Sequence, residues 1–321
     1  MSDKRLLIVD GLNMFLRSYI INPTMDPKGE AIGGCIGFLK SLQKCVRDYH
    51  PDEIIIAWDG HGGSQKKRSM NKNYKEGRQP LRFNRRMIKL DPEDEEKNKA
   101  YQQIRTMQYV NELPIIQIMI DYVEADDVIS YVVQHDKYKD YNKLIVSSDK
   151  DFYQLVNEKT AIFRPIQKKV MTLPIIMEQF SIHPKNFALA RAVAGDPSDN
   201  LKGVPRVGLK TLSKKFTFLS SEAEAEVEDL LEHCSNVDKQ LQVHKNILNH
   251  EALIKNNYEI MQLYKPNLAG TNKRVINYSI ENFEFEYNKL NFTKLLYADG
   301  QGSINFSALY RVCSAVSNQS A

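Results

Sequence analysis

Four short apolar runs constrain this chain more than any other feature: LLIVD (6–10), EIIIAWD (53–59), PIIQIMI (114–120) and KLIVSSD (143–149). They are rich in β-branched residues and lack polar alternation, which is the pattern of strands buried on both faces of a parallel sheet. Between them lie stretches of helical period, notably 36–49 (Phe38, Leu39, Leu42, Val46) and 125–134 (Val128, Ile129, Val132, Val133). The order β-α-β-α-β predicts a doubly wound α/β layer with right-handed crossovers. TAIFRP (160–165) is a candidate further strand.

Residues 60–100 break this rhythm, with GHGG, then a basic run, then DPEDEEK, and are expected to form a long insertion between the second and third strands. Beyond residue 174 the strand signals fade, and helical segments at 186–194, 207–218, 222–233 and 237–256 predict a mainly helical second region. A chain of 321 residues exceeds the ~100–150 typical of one domain, so a core at 1–175 and a helical region at 176–321 are expected. The Asn- and Tyr-rich last sixty residues have only a weak mixed pattern, and an acidic stretch (Glu222, Glu224, Glu226, Glu228, Asp229, Glu232) reads as a solvated helix face.

With 42% hydrophobic and 26% charged residues, disordered and collagenous classes are disfavoured. No apolar run approaches the ~20 residues of a membrane span. The N-terminus passes from Met1 into LLIVD without a signal-peptide pattern, so a cytoplasmic location is expected. Cys35, Cys45, Cys234 and Cys313 are far apart, which signals neither a zinc site nor a disulfide scaffold. The net charge is +4, but from Ser64 to Leu90 ten basic residues (Lys66, Lys67, Arg68, Lys72, Lys75, Arg78, Arg82, Arg85, Arg86, Lys89) face Glu76 alone. Such a concentration is the electrostatic footprint of nucleic acid.

In an open α/β sheet, ligands bind at the carboxyl ends of the strands. There the sequence places Asp10, Asp59, the group Glu124, Asp126 and Asp127, and the pair Asp149 and Asp151. One aspartate after a strand is ordinarily a cap or turn former, and the 124–127 group also suits an acidic first helical turn. Seven acids on four strand ends are different, because so many like charges need a cation among them. Oxygen ligands without His or Cys favour magnesium or manganese. Their number suggests two ions and hydrolysis of a phosphodiester.

Farther along, GDPSDNLKGVPRVGLKTLSKK (195–215) places Asp196 and Asp199 before a turn from Gly203 to Gly208, followed by a lysine-rich helix. A helix–hairpin–helix over about 190–216 directs backbone N–H groups toward phosphates, with Gly203, Arg206, Gly208, Lys210, Lys214 and Lys215 gripping duplex backbone without reading sequence.

Six stretches now taken together, VDGLN (9–13), AWDG (57–60), YKEGR (74–78), EADDVI (124–129), SSDKDFYQL (147–155) and GDPSDNLKGVPRVGLKT (195–211), resemble the 5′ nucleases. That family includes the flap endonucleases, the 5′-nuclease domain of bacterial DNA polymerase I and the phage 5′–3′ exonucleases called ribonuclease H in T-even phages. The resemblance implies a PIN-like α/β core, a helical arch at about 62–100, and a metal-dependent 5′–3′ exonuclease and flap endonuclease acting on DNA and RNA·DNA, including RNA primers. It implies two Mg2+ or Mn2+ held by Asp10, Asp59, Glu124, Asp126, Asp127, Asp149, Asp151, Asp196 and Asp199, and K+ on hairpin carbonyls. It gives Tyr74, Lys75 and Arg78 to the scissile phosphate and adjoining base. Lys66, Lys67, Arg68, Arg82, Arg85 and Arg86 fall to nucleic-acid binding.

The hairpin departs from the family in carrying Arg206 where a second Gly is common, and Val123 stands where Tyr is common. A single-stranded-DNA-binding protein is a candidate partner, a monomer is expected, and the Lys/Asn-rich composition leans toward a phage source. Two alternatives stay open: a PIN-like ribonuclease, and a non-catalytic nucleic-acid-binding relative.

Overall fold

In the computed structural model, residues 4–76, 91–285 and 289–311 are described. The expected strands are all present as β1 (Arg5–Asp10), β2 (Glu53–Trp58), β3 (Ile116–Met119), β4 (Asn142–Val146) and β5 (Thr160–Arg164), and β6 (Lys169–Met171) is an addition. They form one sheet in the order β3-β2-β1-β4-β5-β6, parallel except for the antiparallel edge strand β6. Ile8 pairs with Ile55 on one side and Ile145 on the other, so the apolar runs sit at the centre of the sheet.

Alternate side chains of each strand leave opposite faces, and both faces are covered. Leu6, Ile8, Ile55, Ala57 and Ile145 join one buried cluster, while Leu7, Val9, Ile54, Ile56 and Trp58 join the other. This double burial is why the strands read as continuous apolar runs.

Helices α1 (Gly11–Ile21) and α2 (Gly33–Tyr49) lie against the second face, where Phe38 stacks on Trp58. The insertion contributes α3 (Gln65–Met70) and α4 (Pro92–Asn111). The acidic DPEDEEK stretch is the start of α4: the Asp91 side chain accepts the backbone N–H groups of Glu93 and Asp94, and Pro92 occupies the first turn. Residues 77–90, with Arg78, Arg82, Arg85 and Arg86, lie outside the described residues.

On the first face are α5 (Ala125–Val133), α6 (Leu173–Phe180), α7 (Phe187–Ala194), α8 (Leu209–Lys215) and α9 (Val227–Asn236). They are followed by α10 (Gln242–Leu248), α11 (Glu251–Met261) and α12 (Gly270–Glu281), from which Ile247, Ile254, Ile276 and Ile280 join the same cluster. The helix expected at 222–233 begins only at Val227, where Glu226 and Asp229 form a capping box. The stretch expected as one helix at 237–256 divides at Asn249 and His250.

The weakly patterned C-terminal part forms α13 (Lys289–Ala298) and returns to the second face, where Phe292, Leu296, Phe306 and Leu309 are buried. Arg105 of α4 fixes it through a two-pronged pair with Asp299, 2.8 Å on each arm. Cys35, Cys45 and Cys234 are buried and free, and Cys313 lies outside the described residues. Among the described residues no helix is long and apolar enough to cross a membrane.

Candidate active site

After β1 the chain steps outward to β2 and β3, then returns to place β4 on the other side of β1. Such a reversal opens a crevice at the carboxyl edge of the sheet, and Asp10 ends β1 beside it. Its Oδ1 caps α1 by accepting the N–H of Asn13 at 3.1 Å, and its Oδ2 accepts the Ser147 hydroxyl at 2.8 Å. Ser147 in turn accepts the N–H of Asp149, and Asp149 Oδ1 accepts the N–H of Asp151. These turn bonds take the place of strand pairing, which is why β4 stops at Val146 rather than at the expected residue 149.

On the β2 side, Asp59 Oδ1 accepts the N–H of Ala125, the first residue of α5, at 2.8 Å. The loop between them is tight, and a side chain on Gly60 would meet the Ile120 carbonyl at 1.8 Å. Glu124 is 2% exposed and holds Lys67 at 2.6 Å, Lys75 at 2.5 Å and the Ser64 hydroxyl at 2.7 Å. The Tyr74 hydroxyl lies 3.3 Å away, with its ring beneath the Lys75 ammonium. Asp127 accepts the backbone N–H of Asn267 at 2.7 Å, which ties the loop before α12 to this end of α5.

The helical region adds the third side. Arg191 of α7 donates from Nε to Asp151 at 3.1 Å and from Nη2 to Asp196 at 2.5 Å. The second oxygen of Asp196 accepts the N–H and hydroxyl of Ser198. The Asp199 carbonyl accepts the N–H of Lys75, and Asn200 donates to the Asn73 carbonyl. The base of the basic insertion is thus docked on the 196–201 loop, and Tyr74 is buried there with Leu201, Ile260 and Met261.

Electrostatics follow from this packing. Burial, with help from Asp59 and Asp149, pushes the Asp10 carboxyl up to about 7. Asp151 is also pushed up to about 7, by burial first and then by Asp149, against the pull of Arg191. Asp59 and Asp126 are raised chiefly by burial. Burial also opposes ionisation of Glu124 and Asp196, but the two lysines and Arg191 respectively outweigh it, so both carboxyls sit below their ordinary values.

Among the described residues no three acidic, His or Cys side chains form a ready-made metal cage; basic, hydroxyl and amide partners engage the carboxylates instead. The donors are nonetheless all hard oxygens. Four of the carboxyls are raised by burial and like charge, a deficit that a divalent cation relieves, so the residues fit such an ion.

The hairpin is built as expected. Gly195 and Gly203 approach so closely that a side chain on Gly203 would meet the Ala194 carbonyl at 2.1 Å. Arg206, Gly208, Lys210, Lys214 and Lys215 are all exposed, and Arg206 adopts the left-handed region at φ 63°. Lys66 and Arg68 are exposed too, whereas Lys67, expected among the residues that bind nucleic acid, is buried against Glu124, as is Tyr74. Sequence inspection passed over Arg191, Ser64, Ser147 and Ser198. Arg191 left one signal, as the sole charged residue of the apolar helix FALARAVA.

Comparison with known proteins gives the family. The family described as 5'-3' exonuclease, N-terminal resolvase-like domain, matches residues 5–181. A 5'-3' exonuclease of Buchnera aphidicola subsp. Schizaphis graminum is 34% identical over 220 residues, 67% of this chain and 71% of that protein. The thermostable DNA polymerase I of Thermus thermophilus is 28% identical over 238 residues, 74% of this chain but 26% of the polymerase. In fold, the chain is similar to the bacteriophage T5 flap endonuclease solved with DNA and metal ions, with a TM-score of 0.66 at 15% identity over 97% of this chain and 100% of that one. Its fold is that of the resolvase-like, PIN-type 5′ nucleases, and with over half its length inside the family match the chain belongs to the 5'-3' exonuclease family of nucleases.

Proposed function

We propose that this nuclease is a divalent-metal-dependent 5′–3′ exonuclease and flap endonuclease that hydrolyses DNA and RNA·DNA at 5′ ends or flaps and removes RNA primers during replication. The observation that carries this is that acids from both parts of the chain act on one another at the carboxyl edge: Asp10 with Asp59 and Asp149, Asp126 with Glu124 and Asp149, and Asp151 with Asp149 and Asp196, the last pair bridged by Arg191. Residues 1–175 then form the nuclease core and 176–321 a helical region with a C-terminal extension, in which the helix–hairpin–helix at about 190–216 holds duplex. Asp127, committed to Asn267, supports the site from α5.

Two Mg2+ or Mn2+ ions, when bound by these carboxylates, supply water activation and stabilisation of the departing oxygen. The chain's own residues do the rest. Lys75, carried on a loop pinned to the Asp199 carbonyl, offers its ammonium beside Glu124 to a scissile phosphate, and Tyr74 orients that ammonium from below. Arg78 is proposed to act with Lys75 from the adjoining segment. Lys66, Arg68 and the basic residues beyond 77 attract the strand, and Arg206, Lys210, Lys214 and Lys215 hold duplex phosphates. A K+ ion held by carbonyls of the hairpin belongs to the same proposal.

A 5′-flap duplex labelled at either end, incubated with Mg2+ or EDTA, tests the proposal. Release of short 5′-labelled products only with Mg2+, from both DNA and RNA flaps, supports it. Cleavage in EDTA, or products growing from the 3′ end, contradicts it.

A further inference from the structure

Arg191 lies at the seam between the sheet and the helical region. Its side chain is 11% exposed, and its two acceptors come from different elements: Asp151 opens the turn after β4, and Asp196 begins the hairpin. Both oxygens of Asp196 are committed, one to Arg191 and one to Ser198. The N–H of Asp151 in turn orients Asp149. A planar, weakly hydrated guanidinium is suited to bridging two carboxylates away from water, where one arm can serve each.

Resting on the carboxylate site proposed above, we propose that Arg191 is a positioning residue, an internal cation that holds Asp151 and Asp196 together across this seam. Without its charge, two neighbouring carboxylates, 16% and 10% exposed, are left uncompensated. A divalent ion can restore that compensation, whereas it cannot restore packing lost from the stem of the side chain. The stability deficit of a variant lacking the charge therefore depends on divalent ions, and this separates positioning from simple packing.

The experiment is thermal unfolding of the full chain in EDTA and in excess Ca2+, for the parent, Arg191→Met, Arg191→Lys and the double variant Arg191→Met with Asp196→Asn. Arg191→Met should lower Tm in EDTA by about 5 °C or more, and Ca2+ should recover at least half of that loss. Arg191→Lys should keep most of the parent Tm, and adding Asp196→Asn to Arg191→Met should raise Tm in EDTA. A deficit equal in EDTA and Ca2+, with no gain from Asp196→Asn, overturns the inference and leaves the carboxylate site standing. A parent whose Tm does not respond to Ca2+ overturns the carboxylate site itself. Should Arg191→Met fail to fold, folding of the double variant supports the inference, and failure of both contradicts it.

Discussion

Lys67 and Lys75 show how position decides what a lysine does. Both belong to the basic insertion, yet both ammonium groups rest on Glu124, while their neighbour Lys66 is exposed and reaches Asn267. An exposed lysine contributes chiefly to binding, and added substrate compensates for its loss; one at the reacting phosphate acts in the transition state, and saturation does not help. Lys75→Ala should therefore lower kcat by roughly 10²-fold, and Lys66→Ala should chiefly raise KM. Single-turnover cleavage at saturating enzyme checks both; recovery of the parent rate by Lys75→Ala would confine Lys75 to general attraction.

The raised carboxyls have a consequence for pH. Between the ordinary value of 3.8 and about 7, folded Asp10 and Asp151 hold protons that the unfolded chain has released. Their contribution to stability is therefore full below that window and is lost as pH rises through it. Glu124 works in the opposite sense, contributing above its ordinary 4.5 and losing that contribution only at lower pH. Urea unfolding in EDTA should show a higher midpoint near pH 5 than near pH 7.5, and Mg2+ should narrow the gap. A midpoint that rises with pH in EDTA would contradict this ordering of the site.

Among the elements, the helix–hairpin–helix was the most legible, because GVPRVG needs close backbone approach and the lysines follow at once. Replacing Lys210, Lys214 and Lys215 with Ala should weaken flap-duplex binding and flatten the slope of log K against log salt by up to ~0.9 per lost phosphate contact. Short single strands should bind almost as before, and equal losses on both would mean that these lysines are not a duplex element. The start of α4 was harder to see, since Asp91, Pro92 and three acids form a good helix opening but were read within a charged run. Arg191 was missed for a different reason: one arginine in an apolar helix names no partner until the fold brings Asp151 and Asp196 to it.

Across the whole molecule, the sheet was legible because burial on both faces removes polar alternation, and the acids at its edge were legible because a parallel sheet puts its strand ends together. Which hydroxyl, amide or lysine each acid meets was not, since Ser147 to Asp10 and Lys75 to Glu124 span 137 and 49 residues of sequence. The return of Phe292 and Phe306 to the face opposite α7 was equally hidden. What unites sheet, insertion and helical region is the carboxylate edge, and Asp149, between Ser147 and Asp151, tests it most directly. Single-turnover cleavage and equilibrium binding of a 5′-flap duplex should be compared for the parent and Asp149→Asn. Asp149 is a ligand in the proposed two-metal site, where loss of one ligand removes several kcal/mol of transition-state stabilisation; on that proposal Asp149→Asn should bind the duplex nearly as the parent does and cut it at least about 10²-fold more slowly with Mg2+. Cleavage within about tenfold of the parent would show that the carboxylate edge is not where the reaction takes place.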